Sequence, residues 1–352
     1  MGHLPYVSVV MAVRQEANHI RASLGAVLSQ DYPADQMEVI VSDGMSSDGT
    51  REIILEEAAR CAHLRMIDNP MRIVPTGLNE AIRHASGEII VRVDGHTIVP
   101  RNYVRCCVEE LVRTGADNVG GRMVGTGNGR LDGSVALATQ SPFGVGDSRF
   151  HYSDREEWTD TVYLGAWPRA VFGRVGLFDE ELVRDQDDEF NYRIRERGGR
   201  ILLSPRIRSH YSVRSRISTL AKQYFEYGLW KIRVLQKHPG QMRARQFVPP
   251  AFVLALVGGM VTAPWWPLGR ASLGLLVAAY LTANLSVSWW LAARHGARYA
   301  LTLPAVFATL HLSYGAGFLA GLFRFAGRWK DRHGRTPMLG SLPDEVEAVT
   351  AD

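Results

Sequence analysis

Apolar runs and helical stretches alternate through the first hundred residues, and two of the runs end on an aspartate. Val7-Ser8-Val9-Val10-Met11-Ala12-Val13 is β-branched and apolar, and reads as a strand buried on both faces. Glu38–Asp43 is the next strand, Leu64–Ile67 a short third and Glu88–Asp94 a fourth. Between them, Ala17–Gln30 carries Ile20, Leu24, Val27 and Leu28 at helical spacing, and Gly49–Ala62 and Pro75–Ala85 also read as helices. This alternation predicts an α/β domain, a mostly parallel sheet with helices on both faces. Ligands of such sheets sit at the carboxyl ends of the strands, where Asp43 and Asp94 fall.

The chain changes character near Phe247. Three apolar segments follow, about 248–268, 271–293 and 300–323, with no Asp, Glu, Lys or Arg between their ends. Each approaches the roughly 20 residues that span a bilayer as helix. A water-soluble bundle would show charged faces. Trp265, Trp266, Trp289 and Trp290 suit the two membrane interfaces. The expected division is 1–240 catalytic, 247–325 transmembrane and 326–352 a basic, then polar, tail. Three full crossings conflict with the charges. They place the tail opposite the catalytic domain, yet Arg324, Arg328, Lys330, Arg332 and Arg335 favour the cytoplasmic side, as do Arg294 and Arg298 after the second segment. An interfacial or re-entrant first segment, rich in proline, would change the count.

Other stretches are less regular. Gly120–Arg155 is rich in glycine and polar residues and reads as a flexible region. Asp187–Arg197 reads as a helix, Arg200–Ser204 as a strand, and Leu220–Gln236 as an amphipathic helix with aromatic and basic residues interleaved. With 352 residues and a net charge of +4, the balance is only mildly basic and no nucleic-acid-binding signature appears, so no nucleic-acid partner is expected. Cys61, Cys106 and Cys107 are odd in number and partly adjacent, which gives no disulfide framework and suggests a reducing, cytoplasmic setting. The N-terminus runs at once into a strand, so no cleavable signal peptide is expected.

Three acidic motifs carry the chemistry. Asp43, at a strand end, can accept a hydrogen bond from the ring N–H of a nucleotide base. Asp48 starts the next helix, where capping and ligand contact are both open readings. Asp94 and His96, two residues apart in an extended segment, point the same way and can reach one Mg2+ or Mn2+, imidazole suiting Mn2+ better. In Arg184-Asp185-Gln186-Asp187-Asp188-Glu189, crowded acids raise one another's pKa, which suits Asp187 to act as a base. A solvated acidic helix start is the plainer alternative. Gly165-Ala166-Trp167 offers a bend with an aromatic platform for a sugar, or a buried core tryptophan. Arg214 and Arg216 suit a diphosphate or lipid head groups.

In this order the motifs resemble family 2 glycosyltransferases of the GT-A fold, over about residues 5–235. The branch with succinoglycan-type exopolysaccharide glucosyltransferases is most similar. It is matched by Asn69-Pro70, Pro75-Thr76-Gly77-Leu78-Asn79, Arg92-Val93-Asp94-Gly95-His96, Phe143-Gly144-Val145-Gly146, Asp160-Thr161-Val162 and Gln223-Tyr224-Phe225-Glu226-Tyr227-Gly228, and by the apolar tail. The resemblance implies that Asp43 holds the base and Asp94 the ribose and a divalent metal, Mn2+ or Mg2+. Val13, Arg14, Glu16, Ser46, Asp48, Asn79 and Arg92 would line the nucleotide. His96 stands where most of the family has a second Asp. Asp187 would be the general base, with Gln186 replacing a Glu beside it. Gly165, Trp167, Asp188, Arg214 and Trp230 are candidates for the acceptor or diphosphate. The processive Gln-x-x-Arg-Trp motif is missing.

The expectation is an inverting, non-processive transferase at the bacterial inner membrane, its catalytic domain cytoplasmic. It would move a sugar from a nucleotide-diphosphate sugar, with UDP as the expected carrier, to a lipid-linked saccharide, in contact with membrane lipids. The alternatives are a polyprenyl-phosphate sugar synthase, a nucleotidyltransferase and a non-catalytic membrane scaffold. Against the nucleotidyltransferase, Ala12-Val13-Arg14-Gln15-Glu16 stands where its Gly-x-Gly-x-Arg loop would be.

Overall fold

A computed structural model of the chain describes residues 4–127, 129–332 and 334–340. In chain order the elements are β1 (Val7–Val13), α1 (Ile20–Leu28), β2 (Met37–Asp43), α2 (Thr50–Ala58), β3 (Leu64–Asp68), α3 (Val74–His84), β4 (Ile89–Arg92), β5 (Thr97–Ile98), α4 (Tyr103–Thr114) and β6 (Asn118–Thr126). There follow α5 (Arg130–Thr139), α6 (Pro142–Val145), β7 (Glu157–Thr159), β8 (Tyr163–Pro168), α7 (Ala170–Val175), α8 (Gln186–Glu196), β9 (Ile201–Ser212), α9 (Ile217–Lys237), α10 (Ala244–Thr262), α11 (Pro267–His295) and α12 (Leu303–Arg324). The chain forms two compact units. The first is Met1–Val124 with Tyr152–Tyr211 and Gly334–Asp352; the second is Gly125–His151 with Ser212–His333. A boundary near residue 240 does not describe this division, because 125–151 and 212–240 go with the tail helices.

In the first unit the strands run in the order β3-β2-β1-β4-β8-β6-β9-β5, with β7 on β9. The parallel expectation holds for β3-β2-β1-β4. The pairs β4–β8, β8–β6, β9–β5 and β9–β7 are antiparallel, so the sheet is mixed. β1 and β2 are buried along almost their whole length, which is why they read as continuous apolar runs rather than alternating ones. Ile20, Leu24 and Val27 of α1, and Val104, Cys107, Val108 and Leu111 of α4, join the same core. α4 stops at Gly115, whose φ of 62° ends the helix in the left-handed conformation. All three cysteines are free thiols. The order of connection matters most: β2 lies on one side of β1 and β4 on the other, so the chain changes direction at β1. Crevices at such switch points bind ligands.

Among the described residues the second unit holds three helices, α10, α11 and α12, that are long and apolar enough to cross a membrane. Here the flexible reading of Gly120–Arg155 is corrected. β6, α5 and α6 occupy much of it, and Val135 and Ala138 of α5 share a core with Leu303, Val306, Phe307 and Leu310 of α12. The glycines mark close approach instead of freedom: a Cβ on Gly133 would lie 2.6 Å from the Tyr299 ring, and one on Gly144 only 2.1 Å from the Ala138 carbonyl oxygen. α9 and α12 touch backbone to backbone in the same way. A Cβ on Gly317 would lie 2.0 Å from the Phe225 carbonyl oxygen. Gly317→Leu should therefore cost about 1–3 kcal/mol or more through overpacking, read as a lower unfolding temperature in detergent. An unchanged transition would refute this contact.

Candidate functional site

Asp43 closes β2 opposite Val13 of β1 and is fully buried. Its Oδ2 accepts the Ser46 backbone N–H at 2.9 Å and the Arg51 guanidinium at 2.8 Å. Its Oδ1 is buried with no hydrogen-bond partner, and such an atom is costly unless something donates to it. Arg51 also reaches Asp68 at 2.8 Å, at the end of β3. Sequence reading missed Arg51. The available signal was a cation in the first turn of a helix, three residues beyond Asp48, facing two strand-end acids.

The loop after β1 is knitted to the loop after β2. Gln15 N donates to Ser46 Oγ at 2.9 Å, Glu16 N to Thr50 Oγ1 at 2.8 Å and Ala17 N to Asp48 Oδ2 at 3.1 Å. Gln15 pays for this with a left-handed φ of 56°. Asp48 also accepts from the Thr50 hydroxyl at 2.6 Å and its N–H at 3.1 Å, and the hydroxyl holds its carboxyl below the usual range. Asp48 thus builds the loop and starts α2. Val13 ends β1 beneath the loop, and the Arg14 side chain lies against Gly44 with one bond to the Arg72 carbonyl.

Two strand spacings from β2, about 10 Å, lies β4. Arg92 on β4 is buried, 4% exposed, and its Nε donates to Asp94 Oδ1 at 2.9 Å. Its Nη1 is paired with Asp187 Oδ1, at the start of α8. The two carboxylates therefore converge on one buried cation, held charged by both acids. Asp187 keeps 32% of its side chain open. Loss of solvation raises its pKa above the usual carboxylate value, Asp94 and Asp188 add to the rise, and Arg92 opposes it. Tyr163, from antiparallel β8, places its hydroxyl 3.4 Å from Asp94 Oδ2 and 2.9 Å from Thr97 Oγ1. No local pattern announces a residue brought in by antiparallel pairing, so sequence reading missed Tyr163.

His96 turns to Glu16, Nδ1 to Oε1 at 2.9 Å, and its ring meets Tyr211 edge-on. Among the described residues no three His, Cys, Asp or Glu side chains converge to hold an ion by themselves. Asp94 still fits a hard divalent cation. Its carboxylate is partly open, and a carboxylate has more lone pairs than Arg92 and Tyr163 use. Gly95 allows the turn: a Cβ there would lie 2.9 Å from Val13 Cγ1.

Other expected site residues lie elsewhere. Asn79 is fully buried; its amide donates to the Phe178 carbonyl and Glu180 Oε1 and accepts from Phe178 N, each at 2.9 Å. It is a strut between α3 and the 178–180 segment rather than a nucleotide contact. Trp167 is 2% exposed and packs edge-on to Phe172, Phe178 and Phe190, so the aromatic platform is corrected to a core tryptophan. Gly165, at φ 110°, makes room for that ring, 2.3 Å from where its Cβ would be. Asp188 follows Asp187 on α8. Arg214 and Trp230 belong to the second unit, where Trp230 packs on Phe325.

Residues 8–180 match the model "Glycosyl transferase family 2". They form a family 2 glycosyltransferase domain. Over 322 residues the enzyme is 28% identical to the succinoglycan biosynthesis protein ExoA of Rhizobium meliloti, covering 91% of this chain and 96% of that one. It is 24% identical over 327 residues, 91% and 98% of the two chains, to a Methanococcus voltae protein named dolichyl N-acetyl-alpha-D-glucosaminyl phosphate 3-beta-D-2,3-diacetamido-2,3-dideoxy-beta-D-glucuronosyltransferase. The fold matches that of the mannosyltransferase PcManGT from Pyrobaculum calidifontis, solved in complex with GDP-Man and Mn2+, with a TM-score of 0.58 at 22% identity over 92% of this chain and 88% of that one. The expected GT-A architecture is therefore present.

Proposed function

We propose that this glycosyltransferase moves one sugar from a nucleotide-diphosphate sugar to a lipid-linked saccharide, with inversion, in exopolysaccharide or cell-envelope glycan synthesis. The single observation that carries the reading is Arg92 holding Asp94 and Asp187 together, two strands across the sheet from a buried, half-satisfied Asp43. Asp43 Oδ1 takes the ring N–H of the base, uracil being the natural fit. Asp94 is the residue that would hold a divalent cation together with the diphosphate, and such an ion neutralises charge on the leaving group. Asp187 accepts the proton of the acceptor hydroxyl while that oxygen attacks the anomeric carbon from the face opposite the nucleotide. The raised pKa of Asp187 supports this role, and Arg92 keeps the base aimed. The apolar helices, and the similarity to proteins named for succinoglycan and dolichyl-phosphate saccharides, favour a lipid-linked acceptor at the cytoplasmic face of the inner membrane.

The test supplies labelled nucleotide sugars to the detergent-solubilised enzyme, with either a polyprenyl-diphosphate saccharide or bare polyprenyl phosphate. Transfer to the saccharide alone supports the reading; transfer to the bare phosphate replaces it with a polyprenyl-phosphate sugar synthase. Asp43→Ala removes one charged hydrogen-bond acceptor, worth about 1.5–3 kcal/mol. Nucleotide-sugar affinity measured by calorimetry should fall roughly 10- to 100-fold. Unchanged affinity would remove Asp43 from the base site.

A further inference from the structure

The chain leaves the first unit at Tyr211 and returns to it at Gly334. The return is fastened by backbone pairing. Leu177 N donates to the Pro337 carbonyl and Glu180 N to the Arg335 carbonyl, both at 2.8 Å, and Arg335 N donates to Asp179 Oδ1 at 3.0 Å. Segments joined in this way lie on one face of a membrane. The number of crossings between them must then be even, although three helices are long and apolar enough to cross.

We infer that α10 and α11 cross as a hairpin and that α12 does not cross. It lies along the membrane face from which α10 enters.

α10 and α11 are joined by the four residues Ala263–Trp266. They have 19 and 29 residues, about 28 and 43 Å of helix, against a hydrocarbon core of about 30 Å. Only 17% and 11% of their most apolar windows are buried, against 39% for α12. Trp265 and Trp266 mark one end of the hairpin, and Trp289 and Trp290 the other, all strongly exposed. Arg294 in the last turn of α11 and Arg298 just after it lie on the side from which α10 started, as the positive-inside rule prefers.

α12 keeps different company. It runs alongside α9 in the same direction: Gly228 abuts Tyr314 and Phe318, Gly317 abuts Phe225, and Gly321 abuts Leu229 and Ile232. α9 carries Lys222, Glu226, Lys231, Arg233 and Lys237. Lys222 is exposed and shares a groove with Leu312, Ser313 and Ala316, the middle of α12. It has no ion-pair partner among the described residues. In a spanning α12 that ammonium would sit near the bilayer midplane, where a bare charge is expensive. α12 meets the near part of α10 and the middle of α11. Gly315 abuts Pro249 and Val253 in the first turns of α10, and His311 and Pro304 bond Tyr280 at the middle of α11 and Asn284 one turn beyond it. The far part of α10 meets α11 at Gly259 and Leu273. The sequence had suspected the proline-rich first segment of not crossing. The structure moves that role to the third.

Single cysteines test this with the full chain in sealed vesicles of known orientation and a membrane-impermeant maleimide, in a Cys61→Ser background, since Cys106 and Cys107 are buried. Val112→Cys, on the exposed face of α4, marks the catalytic side. Ala297→Cys and Arg332→Cys are expected to label from that side, and Ala263→Cys only from the other. Labelling of 297 and 332 from opposite sides means that α12 crosses, and overturns the inference. Labelling of 263 from the catalytic side means that the hairpin does not cross, and overturns it equally. The readout needs no sugar transfer, so it stands or fails separately from the proposed reaction.

Discussion

Asp187→Asn is expected to lower kcat by about 10²–10⁴-fold, the usual contribution of a positioned base, while nucleotide-sugar affinity changes little. The amide keeps the shape of the carboxylate and loses the ability to take a proton. Asp187 sits at the start of α8 and not beside Asp43, so donor binding has no reason to change with it. The pH dependence gives a second reading of the same residue. Reduced solvation and the nearby Asp94 raise the Asp187 pKa, and the base works only when ionised. In the native enzyme kcat/KM should therefore rise with pH along a limb displaced above the ordinary carboxylate range, and fall away on acidification sooner than for a solvated aspartate. Asp187→Asn should remove that limb from whatever activity remains. Native-like turnover by Asp187→Asn would assign the base to another group and sink the mechanism.

How much of this was legible beforehand differs from element to element. β1, β2, β3 and the helices between them came through because parallel strands buried on both faces are written as uninterrupted apolar runs, and because each lies near its partner in sequence. Asp43 and Asp94 came through for the same reason, as acids at the ends of those runs. The antiparallel half did not. β8 joins β4 from some 75 residues away, with Ile90 opposite Trp167; nothing near Tyr163 or Trp167 says which faces Asp94 and which goes into the core. Arg92 was read as a ligand contact because an arginine on a strand that ends in the site has two destinations, outward to phosphate or inward to acids. Only the arrival of α8 decides between them. Gly120–Arg155 was misread because glycine looks alike in sequence whether it frees a loop or lets two backbones touch. The three apolar helices were legible, but not which of them cross: an apolar helix that buries one face against α9 and α5 has the same composition as one surrounded by lipid.

The heaviest single loss should come from Arg92→Met, and its signature separates positioning from mere packing. Arg92 is buried and is the cation between Asp94 and Asp187. Deleting one partner of such a buried arrangement costs about 3–5 kcal/mol of stability, so the unfolding temperature should drop. A structural role would end there. A positioning role predicts more. Without the cation, two carboxylates face each other with nothing between them, and like charges at short range raise the pKa of the one that ionises last. The acid limb of kcat/KM should move to higher pH by about one unit or more, and activity lost at neutral pH should partly return at higher pH. Arg92→Lys keeps the charge but not the fork that serves both acids. It should restore most of the pH profile and only part of the rate. An Arg92→Met enzyme that is less stable but keeps the native pH profile would show that Arg92 holds the sheet together and leaves the acidity of Asp187 untouched.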